Sequence, residues 1–298
     1  MRINALMRMI VVFTLGMRLV AFGMCRFTFG MLIRVIMPAF TMISCLAAVL
    51  RNGLSPVFVD ADPRTWCMDV DQVAARVTRR TAAVMAVHIY GHPVDMDPLM
   101  DVVAKHGLKV VEDAAEAHGA HYHGRVCGSF GDASAFSFYS NKLIATGEGG
   151  MVVCDDETVA DDCRNYRNLY FDRQYRFLHR RLGHNFRLTN VQAAIGCAQM
   201  DRLPEALRRK ARMARLYDQM LGDQPDLQLP AHTEGSDNVH WVYGVVLGDE
   251  HPLDAEGLQR KLRERGVDSR RFFLGMHEQP VARDSGFGVG EGYPVTQW

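Results

Sequence analysis

The chain has 298 residues, 48% of them hydrophobic, so it can bury the core of one large or two modest domains. Its formal net charge is zero, which gives no indication of nucleic acid or an acidic membrane surface as a partner. The seven cysteines are scattered, odd in number and contain no C-x-x-C pair. This pattern favours a reducing compartment over a disulfide framework or a zinc site, and we expect a cytoplasmic protein.

The beginning of the chain differs in composition from the rest. Residues 1–59 contain six arginines, no acidic residue and eight of the seventeen methionines, so the remaining chain carries a net charge of −6. Arginines interrupt the apolar run after Met17, before it reaches the roughly 18 residues that a membrane span needs. No small-residue cleavage site follows, so we expect neither a membrane span nor a secretory signal. We interpret residues 1–35 as an atypical segment with a rearranged or frame-shifted origin.

From about residue 54 the pattern is that of an α/β protein. Short apolar runs with little alternation predict strands that are buried on both faces. These runs are Val57–Val59, Ala82–His88, Lys109–Val111, Ala133–Phe138 and Met151–Cys154. Helices are predicted over residues 70–77 and from an Asp97-Pro98 cap to Gly107. Strands that alternate with helices at this spacing predict a mainly parallel sheet with helices on both faces.

The second half of the chain predicts further helices and a second, smaller domain. Thr189 is the expected N-cap of an apolar-periodic helix, and residues 203–221 continue as a charged amphipathic helix. Residues 239–247 predict a strand, and residues 254–266 predict a capped helix. No element is predicted in the loop at residues 275–293.

Lys142 has an unusual position for a lysine of this chain, which has five lysines against twenty-nine arginines. It follows the strand predicted at 133–138 and precedes the loop TGEGG at 146–150, whose glycines allow a ligand to approach the backbone closely. Ligands of an open α/β sheet gather beyond the carboxyl ends of its strands. A partly desolvated lysine there has the lowered pKa that an imine-forming amine requires.

Asp113 has the matching position on another strand, because the apolar run KVVED at 109–113 ends in two acids. Pyridoxal 5′-phosphate (PLP) needs a carboxylate against its pyridine nitrogen, since the protonated ring is the electron sink of its chemistry. An acid at one strand end and a lysine at the next could flank one such ring. The alternative is that Asp113 caps a following helix and Lys142 is an ordinary loop lysine. Spacing alone leaves both interpretations open.

Longer sequence motifs favour the first interpretation. They are VEDAAEAHGA at 111–120, GSFGD at 128–132, FSFYSNK at 136–142 and TGEGGM at 146–151, with PVFVD at 56–60, HIYGH at 88–92 and NFRLTN at 185–190. In consistent order over roughly residues 36–298, these motifs closely resemble the DegT/DnrJ/EryC1/StrS family of sugar aminotransferases. Phe272-Phe273 and Met276-His277 look most like the GDP-perosamine synthase branch of that family.

The resemblance implies the fold-type-I architecture of PLP enzymes, similar to aspartate aminotransferase. That α/β fold has a mixed, mostly parallel sheet with helices on both faces and a smaller C-terminal α+β domain. We place the PLP-binding large domain at residues 36–204 and an incomplete small domain at residues 205–298. The resemblance also implies a homodimer with active sites at the subunit interface.

The resemblance gives five residues a role in the site. Lys142 forms a Schiff base with PLP and then moves a proton between substrate and cofactor. Asp113 pairs with the pyridine nitrogen, and Glu116 lies by the face of the ring or its phenolic oxygen. Ser137 hydrogen-bonds to the cofactor phosphate, which Asn185 reaches from the neighbouring subunit. Some relatives have histidine at the position of Lys142 and act as dehydratases, so lysine here favours transamination.

The predicted reaction transfers an amino group from L-glutamate to a keto-deoxysugar nucleotide such as GDP-4-keto-6-deoxymannose, as in O-antigen polysaccharide biosynthesis. One alternative is an inactive remnant or non-catalytic scaffold of the same fold, and another is a PLP-dependent sugar dehydratase. The remnant is motivated by two departures from the family. Residues 1–35 lack the Gly-Thr or Ser/Thr pair with which relatives hold the PLP phosphate, and relatives continue beyond Trp298.

Two further groups of residues could indicate binding sites of another kind. His118, His121 and His123 lie close in sequence, but no cysteine or carboxylate pair completes a ligand set, so we expect no metal. The Arg- and Tyr-rich residues 164–181 are either a basic patch for RNA or a surface excursion that faces the sugar nucleotide or the partner subunit. We expect the excursion, and arginines there would suit a diphosphate through bidentate contacts.

Overall fold

A six-stranded sheet lies at the centre of residues 33–297, the part of the chain that this computed structural model describes. The strands are β1 Arg34–Pro38, β2 Ser55–Val59, β3 Thr81–Val87, β4 Lys109–Asp113, β5 His121–Tyr122, β6 Arg125–Val126, β7 Ala133–Ser137, β8 Gly150–Val153, β9 Leu227–Gln228, β10 Ser236–Asp237 and β11 Val246–Leu247. The order in the large sheet is β2-β1-β3-β4-β7-β8. All neighbours pair in parallel except β8, which runs antiparallel to β7. The mostly parallel sheet predicted from the sequence is confirmed.

Helices pack on the apolar strands and complete the main hydrophobic core. They are α1 Ile43–Arg51, α2 Asp71–Arg76, α3 Met96–His106, α4 Glu157–Tyr166, α5 Asn190–Asp201, α6 Leu203–Leu221, α7 Ala255–Glu264 and α8 Pro280–Arg283, with 3-10 turns at Ile89–Gly91 and Met276–Glu278. Every residue of β3 is buried, as its continuous apolar sequence requires. Leu46 of α1 and Leu99 of α3 lie fully buried in the same core.

Helix termini follow the sequence signals with one correction. Thr189 caps α5 through a complete capping box with Gln192, as predicted. Gly107 ends α3 in a left-handed conformation at φ 62°. However, α3 begins at Met96, with Asp95 at the N-cap position, so the predicted Asp97-Pro98 start is wrong. Neither β1 nor α1 was predicted.

Two expectations for the second half are corrected by the structure. The predicted strand at 239–247 is a strand only at β11, because the N–H groups of Val239 and Trp241 bond instead to the carbonyls of Gly91 and Tyr90. The loop at 275–293 contains a 3-10 turn and the short helix α8.

The last described residues pack against the start of the sheet. Asp60, directly after β2, is buried and accepts hydrogen bonds from the N–H groups of Val295 and Thr296 and from the Thr296 hydroxyl. The predicted domain boundary after residue 204 falls within the first turn of α6 and stays a prediction. The interpretation of residues 1–35 falls mainly on residues 1–32, outside the described part. Within that part, no helix is long and apolar enough to cross a membrane.

Glu112 connects the end of β4 to the loop before β7. It is fully buried, and its two oxygens accept the N–H groups of Gly128, Phe130 and Gly131 at 2.6–2.7 Å. The fourth donor is His88 Nε2 at 3.0 Å. Val94 donates its N–H to His88 Nδ1, so the ring proton that bonds to Glu112 is the one on Nε2. Burial opposes ionisation of Glu112, but these hydrogen bonds outweigh it and hold the pKa below its ordinary value.

The substitution Glu112→Gln is expected to lower the free energy of unfolding by about 3 kcal/mol at neutral pH, since an amide nitrogen would face loop donors that need an acceptor. Urea unfolding measures the change, with the exposed Glu157→Gln as the matched control. The carboxylate stabilises the fold above its unfolded-state pKa, and this contribution is lost as pH falls through the lowered folded-state pKa. The difference between wild type and variant should therefore shrink in acid. Equal stabilities at neutral pH would contradict the assigned role.

Candidate active site

Four of the five residues assigned from the sequence lie at the carboxyl ends of two adjacent strands. Asp113 is the last residue of β4, and Ser137 is the last residue of β7. The strands pair in parallel with Asp113 opposite Ala135, so both ends meet at one edge of the sheet. Glu116 follows Asp113 by three residues, and Lys142 follows Ser137 by five. The sheet topology thus positions these side chains together.

Lys142 lies between an acid and an aromatic ring. Its Nζ is 3.4 Å from Glu116 Oε1 and 3.6 Å from the centre of the Trp241 ring. The side chains of Lys142 and Glu116 are only 5% and 9% exposed. The other oxygen of Glu116 accepts the N–H of Tyr90 at 2.7 Å, which fixes the carboxylate. The amine is therefore held in a nearly dry environment by one ion pair and one cation–π contact.

Burial changes the proton affinity of both members of this pair. Burial lowers the pKa of Lys142, and the negative charges of Glu116 and Asp113 raise it only in part. Burial raises the pKa of Glu116 to about 7, against the lowering effect of Lys142. Burial thus brings the pKa values of the two groups closer together than they are in water, which is a property of catalytic acid–base pairs.

Asp113 is held at both oxygens. The Ala115 N–H donates to Oδ1 at 2.9 Å, and the Cys45 thiol donates to Oδ2 at 3.0 Å. Burial raises the pKa of Asp113, while these two hydrogen bonds and the charge of Lys142 lower it in part. The carboxylate is thus fixed in orientation at the edge of the sheet where Lys142 lies.

Ser137 and Asn185 occupy different environments. Ser137 is 1% exposed, and its hydroxyl accepts the N–H of Tyr139 at 3.3 Å. Asn185 is exposed and bridges through its backbone to Asn168. None of the contacts described within residues 33–297 joins Asn185 to the other four residues. An exposed position is what a contact with a neighbouring subunit would require.

The segment at Tyr90 and Gly91 brings Trp241 to Lys142. Gly91 has φ 95°, and a Cβ on it would lie 2.7 Å from Val239 Cγ2 and 3.1 Å from the Trp241 nitrogen. Glycine is therefore required for this close approach of the two backbones. The indole N–H of Trp241 donates to the carbonyl of Asn141, and Lys210 donates to the Trp241 carbonyl, each at 2.8 Å. Trp241 is fixed over the amine by contacts on three sides.

Sequence reasoning assigned no site role to Tyr90, Trp241 or Cys45. Tyr90 lies in the HIYGH motif, but nothing local shows that its N–H binds Glu116. Trp241 is 99 positions from Lys142, so no local pattern could join them. Cys45 is 68 positions from its partner Asp113, so no local pattern could join these two either.

Of the histidine and arginine clusters noted in the sequence, only His118 lies near Lys142 and Ser137. His118 is 3% exposed, neither ring nitrogen has a hydrogen-bond partner in the described part, and burial with the charge of Lys142 lowers its pKa to about 4. His121 and His123 face Asp237 and Asp97 at the surface. The described residues contain no group of three His, Cys, Asp or Glu side chains arranged for a metal. In the segment 164–181 several arginines form exposed ion pairs with acids of the same region.

The chain matches a known family along most of its length. The sequence model of the DegT/DnrJ/EryC1/StrS aminotransferase family matches residues 16–298. GDP-perosamine synthase of Caulobacter vibrioides is 40% identical over 247 residues, which are 83% of this chain and 67% of that protein. The GDP-perosamine synthase of Escherichia coli O157:H7 is 37% identical, with the same shares. The dTDP-3-amino-3,4,6-trideoxy-alpha-D-glucose transaminase of Micromonospora megalomicea is 40% identical over 84% of this chain and 67% of its own length.

Solved aminotransferase structures share the fold. DesV of S. venezuelae superposes with a TM-score of 0.85 at 32% identity, over 97% of this chain and 74% of that one. The sugar aminotransferase CalS13 of Micromonospora echinospora gives 0.84 at 26% identity, over 97% and 76%. With the mostly parallel sheet, this likeness confirms the predicted fold-type-I architecture.

The substitution Glu116→Gln tests the coupling of the pair in the cofactor-free protein. Without the negative charge the pKa of Lys142 should fall further, by about one pH unit. The measurement is the pH profile of Lys142 acylation by an amine-specific reagent, read by peptide mass spectrometry with the exposed Lys105 as internal reference. Glutamine keeps an oxygen for the Tyr90 N–H, and Glu157→Gln is the control. An unchanged or higher midpoint would show that Glu116 does not stabilise the charged amine.

Proposed function

Because the chain belongs to the DegT/DnrJ/EryC1/StrS aminotransferase family, we propose that it transfers the amino group of L-glutamate to a keto-deoxysugar nucleotide, with PLP as its cofactor. The observation that carries the proposal is the buried amine of Lys142 at 3.4 Å from Glu116, beside the fixed carboxylate of Asp113. Three GDP-perosamine synthases at 35–40% identity favour GDP-4-keto-6-deoxymannose as the acceptor. The proposed reaction would belong to the cytoplasmic synthesis of polysaccharides such as O-antigens.

The residues present fit the cofactor. The buried cluster holds two carboxylates, Asp113 and Glu116, against the single amine of Lys142, so a cationic ring nitrogen beside Asp113 would balance its charge. Lys142 would hold the cofactor through Nζ, and Ser137 would bind its phosphate. His118 adds two unpartnered ring nitrogens near the same strand ends. When bound, PLP supplies the electron sink that stabilises negative charge at the amino-bearing carbon of the substrate.

The side chains around Lys142 have separate roles in the reaction. Lys142 Nζ would take the proton from the amino-bearing carbon of the substrate and return it on the cofactor side of the nitrogen, because its lowered pKa makes the neutral amine accessible. Glu116, with a pKa near 7, accepts or returns a proton at Oε1 as the charge of Lys142 changes. Trp241 covers the amine and keeps water from it. We assign the binding of the nucleotide's diphosphate to the Arg-rich segment 164–181, because arginine binds phosphate groups through bidentate contacts.

A homodimer is part of the proposal, because the exposed Asn185 would reach the phosphate of the partner subunit's site. The surface near Asn185 carries apolar side chains that are exposed to solvent. Helix α5 has no buried residue, and its Val191 and Ile195 are 71% and 45% exposed. Leu182, in the same region of the chain, is 87% exposed. Apolar side chains at this exposure are typical of a subunit interface.

Purified protein mixed with PLP is expected to absorb at about 400–430 nm, the range of a lysine-bound cofactor. Lys142→Ala should abolish the band, whereas Lys105→Ala should not. With L-glutamate labelled at its amino nitrogen and GDP-4-keto-6-deoxymannose, mass spectrometry should show the label in the sugar nucleotide. Absence of the band in wild type would refute the cofactor assignment. A band with unlabelled product and free ammonia would indicate dehydration instead of transamination.

The dimer is tested by placing charges on the uncovered face. Sedimentation should give twice the chain mass for wild type and a single chain for the double variant Val191→Asp, Ile195→Asp, because buried carboxylates oppose association. Met220→Asp, which changes a 76% exposed residue of α6, is the control and should stay dimeric. PLP affinity should fall with the loss of Asn185 of the partner subunit. A monomeric wild type would contradict this part of the proposal.

A further inference from the structure

A chain of three side chains ends on the carboxylate of Asp113. Thr41 Oγ1 lies 3.2 Å from Cys45 Sγ, and Cys45 Sγ lies 3.0 Å from Asp113 Oδ2. Thr41 and Cys45 are fully buried, and Asp113 is 5% exposed. Cys45 lies in the first turn of α1, and Thr41 lies in the bend just before that helix begins. The contact joins residues 68 positions apart, within the core that supports the site.

The direction of the hydrogen bonds follows from the donor inventory. An ionised carboxylate only accepts, so the thiol proton points to Asp113. The thiol has one proton, and therefore the Thr41 hydroxyl donates to the sulfur. Burial raises the pKa of Cys45 well above its ordinary value, which keeps the thiol a donor and makes it a poor nucleophile. The thiol proton thus lies against Oδ2 of Asp113, and the hydroxyl proton of Thr41 lies against the sulfur behind it.

We propose that Cys45 is a positioning residue for Asp113, whose carboxylate it keeps charged and turned toward the ring nitrogen of the cofactor. The Ala115 N–H holds Oδ1 and the Cys45 thiol holds Oδ2, so the carboxylate cannot rotate without losing one of them. Each oxygen keeps a second lone pair for a further donor. Without the thiol, burial would favour the protonated carboxyl, which cannot accept the ring proton. The inference rests on the proposed function.

The cofactor-free protein tests the hydrogen bond itself. The S–H stretching band of Cys45 is assigned by its loss in Cys45→Ala, and an infrared spectrum reports the strength of its acceptor. In Asp113→Asn the band is expected to move to higher frequency, because a neutral amide oxygen accepts more weakly than a carboxylate. In the exposed and remote Glu157→Gln the band should not move. A band that is unmoved in Asp113→Asn overturns the inference.

The loaded protein tests the effect on the cofactor. Cys45→Ala should bind PLP roughly three- to tenfold more weakly, and Cys45→Ser should restore the affinity because the hydroxyl donates in place of the thiol. A less charged Asp113 leaves less positive charge on the ring nitrogen, so Lys142 Nζ holds its proton to higher pH. The pH midpoint of the cofactor absorbance should therefore rise by about 0.5 unit in Cys45→Ala and return in Cys45→Ser.

The buried but remote Cys163→Ala is the matched control and should leave both measurements unchanged. Thermal unfolding of each variant shows whether it is folded before PLP is added. If wild type binds no PLP, the proposed function falls and the inference falls with it. If wild type binds PLP and folded Cys45→Ala shows the same affinity and the same pH midpoint, the inference alone is overturned.

Discussion

The site depends on two consecutive acids at the end of β4 that serve opposite faces of the sheet. Because side chains alternate along a strand, Glu112 points to one face and Asp113 to the other. Glu112 accepts four hydrogen bonds and fixes the loop at 128–131, from which β7 starts. Since Ser137 and Lys142 lie at the far end of β7, their positions are set in part by a carboxylate that contacts neither.

Burial away from water shifts the pKa values of Lys142, Asp113 and Glu116. The same burial lowers the pKa of Lys142 and raises those of Asp113 and Glu116, so each ionised form persists only through specific partners. Asp113 has two neutral donors, and Glu116 has a backbone N–H and the amine. The two acids therefore differ in role: Asp113 is held in one orientation by neutral donors, whereas Glu116 faces an amine with which it can exchange a proton.

The sequence predicts this arrangement as far as local patterns reach. Lys142 and Asp113 could be found because strand ends and glycine-rich loops leave a pattern within a few residues. Trp241 and Cys45 could not, since each meets the site through a contact that spans 68 positions or more. The strand expected at 239–247 fails for the same reason. Its residues suit a strand, but the N–H groups of Val239 and Trp241 bond to the carbonyls of Gly91 and Tyr90 instead of to a neighbouring strand.

The environment of Lys142 is completed by the part of the chain after residue 204. The sheet supplies Glu116, which alone would hold the amine as an ordinary ion pair open to solvent. Trp241 removes that solvent, and it reaches the amine only because Gly91 has no Cβ and Lys210 of α6 holds the Trp241 carbonyl. The lowered pKa of Lys142 is thus a joint product of two regions that are distant in sequence. A substitution at Gly91 would alter the amine without touching it, because any Cβ there displaces the segment that carries the indole.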